Sequence, residues 1–284
     1  MEDTYTDTNA AGDGDPRIAI VTGTSRGIGL ALAQRLLFIG YEVHGFGRDE
    51  ADELRVHEAY RHYGCDLSDL DDTRRTIGDW SSDNRAVRRI DAVFLNAGQF
   101  GSAIARISDT PMEELETLQR LNCFSSKVIL DALLGQGIAL DLCAVSSSIA
   151  GQRMRAGNGG YALSKATLNA MMELYALEHP DTFFAVLGLC VVDTHLARKI
   201  GTLPLSNAPI FEAQRKLRER ARQNGYAVTA DERVDHLVSL LLPQPDTRLR
   251  SGSFVEIRAL LGRPTGRFAA AAQQVRNSFR RLSI

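Results

Sequence analysis

Short apolar, β-rich runs and longer helical patterns take turns along this chain, and that alternation restricts its fold more than any single motif. "RIAIVTG" precedes "GIGLALAQRLLFIG", "YEVHGFG" precedes a polar helical stretch, and "DAVFLNAG" precedes "TPMEELETLQRLNCFSSKVILDALLGQG". Further on, "IALDLCAVSSS" comes before "GYALSKATLNAMMELYALEH", and "TFFAVLGLCVV" follows it. Strands separated by helices of about ten residues or more make βαβ units, whose parallel sheet is covered on both faces. The expected fold is α/β, a Rossmann-type doubly wound parallel sheet in a single domain over residues 17–262. No repeat of fixed period and no Pro/Ser-rich linker divides it.

Between Asp193 and Tyr226 the pattern loosens into an insertion with Gly, Pro and a charged helix, "FEAQRKLRERA". Loops of this length commonly serve as lids, so residues 193–226 are read as a helical substrate lid. A helix, "ADERVDHLVSLLL", and a strand, "SGSFVEIR", follow. The chain closes with an Arg-rich tail over 263–284, whose Arg263, Arg267, Arg276, Arg280 and Arg281 suit a solvated helix or a subunit contact better than an anionic partner. The opening residues 1–16, "MEDTYTDTNAAGDGDP", are acidic and small, lack the apolar core of a secretory signal, and are expected to be disordered.

With 24% charged and 44% hydrophobic residues and a net charge of -2, the chain has the profile of an ordinary soluble protein. Nothing points to nucleic acid, and no apolar run approaches the roughly 20 residues that span a bilayer. Cys65, Cys123, Cys143 and Cys190 are far apart, without metal-ligand spacing, and read as reduced core residues of a cytoplasmic protein.

The run "IAIVTGTSRGIGLALA" reads strand, turn, helix, with Gly23, Gly27 and Gly29 at the turn. Glycine permits a tight turn and close backbone approach, while a helix N-terminus offers free N–H groups and partial positive charge to a pyrophosphate. An acidic residue ending the second strand would take ribose hydroxyls, whereas an arginine there accommodates a 2′-phosphate. The chain has Gly47 at that position, followed by Arg48, and Arg26 lies inside the turn, so NADP(H) is favoured over NAD(H). Asp49 is the residue that would argue for NAD(H).

In "GYALSKA", Tyr161 and Lys165 stand four apart. On a helix such residues share a face, with Cβ atoms about 5–6 Å apart. An ammonium near a phenol favours the phenolate, so the pair is expected to lower the Tyr161 pKa from about 10. Packing of Tyr with a snorkelling Lys is the bland alternative.

Taken together these stretches resemble the short-chain dehydrogenase/reductase family. The resemblance rests on "TGTSRGIG" (Thr22 to Gly29), Asp66 in "CDLSD", "LNAG" (Leu95 to Gly98), Asn122 in "RLNCF", Ser148 in "VSSSIAG" and "YALSK". It implies that Tyr161 is the general acid or base and that Lys165 lowers its pKa while holding the nicotinamide ribose. Ser148 would bind the substrate oxygen, with Ser146 and Ser147 as competitors, and Asn122 would hold a water linking Lys165 to solvent. The cofactor would be NADP(H), lying against Gly23, Thr24, Ser25, Arg26, Gly27, Ile28 and Gly29. Arg48, Asp66, Leu67, Asn96, Ala97, Gly98, Val192 and Thr194 would complete its contacts, with Asp66 at the adenine. A homodimer or homotetramer would form through the helix over Thr110 to Gly135 and the one after Tyr161.

Two departures stand out. Leu189 and Cys190 replace the family's Pro-Gly after the sixth strand, which would redirect the nicotinamide-side loop, and "SGSFVEIR" lacks a terminal Gly-Gly. The lid and this ending look more like sepiapterin or benzil reductases than fatty-acid ketoacyl reductases. The leading expectation is therefore NADPH-dependent reduction of a small ketone or diketone. A ketoreductase for acyl-carrier-bound 3-oxoacyl groups is the second, with Arg153 and Arg155 as a candidate basic entrance. A cofactor-binding regulator without turnover is the third. His195 and Met154 are further candidates for the pocket wall.

Overall fold

A computed structural model describes residues 16–223 and 226–261. The strands are β1 (Arg17–Thr22), β2 (Tyr41–Gly47), β3 (Tyr60–Gly64), β4 (Arg89–Leu95), β5 (Ala139–Ser147), β6 (Phe183–Gly188) and β7 (Phe254–Glu256). All pair in parallel in one sheet, in the order β3-β2-β1-β4-β5-β6-β7. Between them run α1 (Gly27–Phe38), α2 (Asp52–Arg55), α3 (Leu70–Asp83), α4 (Met112–Gln119), α5 (Ser125–Gly135) and α6 (Gly159–Glu178). After β6 come α7 (His195–Thr202), α8 (Glu212–Ala221) and α9 (Ala230–Leu241), and α10 (Ile257–Leu260) follows β7.

The doubly wound expectation holds, and β1 shows why. Its successive side chains point to opposite faces, yet five of its six residues are buried. Ala19 and Val21 join Leu32, Leu36, Leu237 and Leu241 of α1 and α9 on one face. Ile18 and Ile20 join Trp80, Ile129, Leu133 and Met172 of α3, α5 and α6 on the other. The order runs outward from β1 to β3 and then resumes on β1's other side with β4. The crevice at the C-terminal ends of β1 and β4 is therefore the switch point where such sheets bind ligands.

Four details differ from the expected pattern. β3 is an edge strand with only Tyr60 buried, too polar in "YRHYG" to stand out by hydrophobicity. The helix expected over Thr110 to Gly135 is divided: α4 passes into α5 through a π-helical turn at Arg120–Phe124. "THLARKI" in the lid is mostly helix α7, started by the Thr194 hydroxyl accepting from Ala197 N at 3.2 Å. β7 keeps only three residues of "SGSFVEIR" as strand. Both tails, 1–15 and 262–284, with the terminal arginines read from the sequence, lie outside the described residues.

Candidate active site

The glycine-rich turn leaves β1 and opens α1 beside the end of β4. Gly23 and Gly27 adopt φ of 77° and 59°, in the left-handed region, and a Cβ on Gly29 would stand 2.0 Å from the Gly23 carbonyl oxygen. No side chain other than glycine's fits at position 29 without moving backbone. The first turn of α1 holds no acidic residue, so its free N–H groups and positive end suit an anionic phosphate. Thr22 Oγ1 accepts from Asn96 N at 2.9 Å and Ala97 N at 3.0 Å, which fixes the end of β4 against the turn. Gly27 would meet Thr194 Cγ2 at 3.4 Å with a Cβ, so the start of α7 borders the same groove.

Several predicted cofactor residues lie along this groove with side chains committed elsewhere. Thr24 is fully buried, its hydroxyl 2.8 Å from Tyr60 Oη, and Leu67 belongs to the core, so both have only backbone to offer. Asn96 spends its amide on Thr22 O at 3.3 Å and Ser146 Oγ at 3.1 Å, tying β1, β4 and β5 together. Val192 is buried in an isolated bridge with Val228. Ser25 and Ile28 are half-buried at the turn. Arg26 and Arg48 are exposed, Arg26 within the turn and Arg48 next to Gly47, whose Cβ position is 3.8 Å from Gly23 Cα. Asp66 accepts from the Ser68 hydroxyl at 2.7 Å and Ser68 N at 2.9 Å, bonds that hold its carboxyl below the ordinary range, helped by the charge of Arg48.

The second group of residues meets at the ends of β4 and β5 and the start of α6. The Ser148 hydroxyl lies beside the Tyr161 phenol, where it favours the ionised form, and accepts from Ala150 N at 3.2 Å. Its neighbours are occupied: Ser146 bonds Asn96, and Ser147 bonds Asn169 Oδ1 at 2.5 Å. Ser148 is therefore the serine that reaches the phenol. Lys165 is buried, donates to Ser146 O at 2.7 Å, and lies 5.8 Å from the centroid of the Tyr161 ring. Asn122, on the π-helical turn, accepts from Gln99 N at 2.8 Å and donates to Gln99 O at 2.8 Å and Ser164 Oγ at 2.9 Å. A Cβ on Gly98 would be 3.1 Å from Asn122 Oδ1 and 3.6 Å from Lys165 Nζ, so these three converge. Single π turns of this kind recur at functional sites.

One expectation is corrected. Lys165 does not set the acidity of Tyr161 here: burial raises the phenol above 10.0, and the Ser148 hydrogen bond offsets only part of that. The ammonium is directed to the Ser146 carbonyl, and its own burial lowers it to about 8.

The segment after β6 contributes to an apolar roof. Phe100, Ile104, Leu203 and Phe211 form a buried cluster against which Tyr161, Leu196, Ile200 and Leu205 pack. The Phe100 and Tyr161 ring centroids are 5.3 Å apart. Lid cations are engaged elsewhere: Arg198 with Asp193 at 2.8 Å, Arg215 with the Ser206 and Ala208 carbonyls at 3.0 Å, and Arg218 with the Ile200 and Leu203 carbonyls at 2.9 Å. His195 and Met154 are exposed and stand outside the cluster.

The short chain dehydrogenase family model matches residues 17–202, which spans both the turn and the Ser148–Tyr161–Lys165 group. The chain belongs to the short-chain dehydrogenase family. It is thus an oxidoreductase of CH–OH and C=O groups. Benzil reductase ((S)-benzoin forming) of Bacillus subtilis is 25% identical over 209 residues, 70% of this chain and 84% of the relative. A 2-(R)-hydroxypropyl-CoM dehydrogenase of Xanthobacter autotrophicus is 26% identical over 188 residues, 61% and 73% respectively. The fold matches NADPH-bound carbonyl reductase from chicken fatty liver with a TM-score of 0.69 at 21% identity, covering 86% of this chain and 98% of that one.

This short-chain dehydrogenase keeps an unusual residue after β6. Cys190 has φ 62°, the one positive φ at a non-glycine among the described residues. The chain bends through the left-handed region here with cysteine, not glycine, bearing the strain. Tyr60, Gln99, Ser164 and Phe100 were not singled out in the sequence. Each acts through a contact across the fold, with no local spacing to mark it.

Proposed function

We propose that this protein reduces an uncharged, apolar ketone or diketone to the alcohol with NADPH. The juxtaposition of the Ser148 hydroxyl and the Tyr161 phenol, with Lys165 on the same helix face, carries the reading, because it offers a phenolic proton and a hydroxyl donor to one substrate oxygen. The exposed Arg26 in the turn and Arg48 after Gly47 favour a 2′-phosphate, and the turn and α1 would hold the pyrophosphate. Bound there, NADPH supplies the hydride. Tyr161 gives its proton to the carbonyl oxygen as negative charge develops there, and Ser148 donates a hydrogen bond to the same oxygen. Lys165, charged at neutral pH, places a cation beneath the pair. The roof of Phe100, Leu196, Ile200 and Phe211 excludes water and selects apolar substituents.

Reduction of benzil by the relative from Bacillus subtilis supports the apolar diketone. A 3-oxoacyl group on an acyl carrier is the second reading, favoured by Arg153 and Arg155 in the loop before α6. The test is NADPH depletion with a panel of aryl ketones, diketones, charged keto acids and a 3-oxoacyl thioester. Turnover of benzil or an aryl diketone is expected. Turnover of the thioester alone would move the assignment, and no consumption with any carbonyl would leave a cofactor-binding regulator.

Assembly is proposed from the same surface reasoning. Met112, Phe124, Leu163 and Leu174 are exposed on α4, the π turn and α6, an apolar face suited to a second copy. Sedimentation should show a dimer or tetramer at micromolar concentration.

A further inference from the structure

Helix α8 is mostly charged, and Gln214 is its one buried side chain. Among the described residues of 195–223, only Gln214 hydrogen-bonds to the loop and helix that carry Tyr161. Its Nε2 donates to the Ala156 carbonyl at 3.1 Å and to Asn158 Oδ1. Asn158 is 7% exposed and stands at the N-terminal boundary of α6, where its carbonyl accepts from Ala162 N at 2.7 Å. An Asn in that position ordinarily caps its own first turn. This one makes no side-chain cap bond and takes the lid's amide instead.

Gly157, between the two acceptors, makes the approach possible. Its φ is 91°, and a Cβ there would stand 2.5 Å from Ile104 Cγ2, 3.3 Å from Phe211 Cδ1 and 3.4 Å from Gln214 Cγ. A side chain at 157 would clash with Ile104 and press on the lid at Phe211 and Gln214, so glycine lets the lid lie directly against this loop. Apolar contact through Phe211 and Leu203 holds the lid down without fixing where along the loop it rests. An amide pair is directional and does fix it.

We infer that the Gln214–Asn158 pair is the latch that seats the lid on the start of α6, and that Gln214 is a positioning residue for the substrate pocket over Tyr161. Its effect on turnover rests on the carbonyl-reductase reading above; the contact itself does not. Removing the Gln214 amide leaves Asn158 Oδ1 buried with a partner lost, which costs more than the bond's net worth. The glycine-turn groove is not touched, so cofactor affinity is unaffected.

The test compares the unmutated protein with Gln214→Leu, Asn158→Ala and the double variant. Leu keeps the bulk of the side chain and removes its hydrogen bonds. Amide hydrogen exchange over 209–221 should accelerate roughly tenfold in Gln214→Leu. With benzil as probe, KM should rise roughly tenfold while kcat stays within about threefold and the NADPH Kd does not change. The double variant should be no worse than the more damaging single one, as for two ends of one contact. Unchanged exchange in Gln214→Leu, or strictly additive effects in the double variant, would overturn the latch. Should the unmutated protein reduce no carbonyl, the functional reading fails and the exchange measurement still decides the latch.

Discussion

The Lys165 ammonium lies 5.8 Å from the centroid of the Tyr161 ring while donating to the Ser146 carbonyl at 2.7 Å. The two residues share a helix face, as their spacing requires, but the cation's hydrogen bond runs to the sheet. Burial lowers Lys165 from 10.5 to about 8 in the folded protein. Between those values the unfolded chain holds a proton that the folded chain has released. The contribution of this group to stability therefore rises with pH from about 8 towards 10.5. In cofactor-free protein, urea unfolding at pH 8 and pH 10 should show a pH slope that Lys165→Met reduces, by an amount on the order of 2 kcal/mol. Identical slopes in the two proteins would show that Lys165 titrates as a free lysine does.

NADPH should bind more tightly than NADH, because Arg26 in the turn and Arg48 after Gly47 are exposed and no carboxylate occupies position 47. Charge-assisted bonds to a phosphate are worth roughly 1.5–3 kcal/mol each, so the double change Arg26→Ala, Arg48→Ala should bring the two dissociation constants close together. Calorimetric titration reads this directly. Equal affinities in the unmutated protein would return the cofactor to NAD(H).

Cys190 offers a stability test of the bend after β6. A non-glycine residue in the left-handed region costs about 1–2 kcal/mol, and a β-branched one more. Cys190→Gly should match or exceed the parent in urea denaturation, whereas Cys190→Val should lose about 1–2 kcal/mol. A valine variant as stable as the glycine one would mean the loop does not hold φ near 62° in solution.

How legible these features were depends on the range of the interaction behind them. The turn at Gly23, Gly27 and Gly29 and the Tyr161–Lys165 face are local, set by backbone conformation and helical spacing, and could be read directly. The apolar strands gave the sheet for the same reason, while the polar edge strand "YRHYG" carried no such mark. The pKa of Tyr161 depends on burial beneath Phe100 and the lid, which no spacing encodes. Asn96 and Thr24 were read as cofactor contacts, yet their side chains are taken up by partners more than 30 residues away in sequence. The resemblance to the family favours Ser148 over Ser146 and Ser147, and the bonds of Ser146 to Asn96 and Ser147 to Asn169 add a physical reason.

Tyr161→Phe is the change that separates chemistry from packing. It removes one oxygen and keeps the ring that packs 5.3 Å from Phe100, so the fold and NADPH affinity should be retained. If the phenol serves only the apolar cluster, reduction continues almost unaltered. If it is the proton donor, the developing alkoxide has no acid beside it, and the roughly 10²–10⁴-fold contribution of general acid catalysis is lost. Ser148→Ala should show a smaller fall in kcat, since it removes one hydrogen bond to the oxygen and leaves the proton source in place. Burial also predicts that the Tyr161 phenol stays protonated past pH 10 in the cofactor-free protein. The phenolate absorbance of the parent minus that of Tyr161→Phe should accordingly titrate with a midpoint above that of a free tyrosine. A reductase rate in Tyr161→Phe above about a tenth of the parent's on an aryl diketone would transfer the proton-donor role to another group.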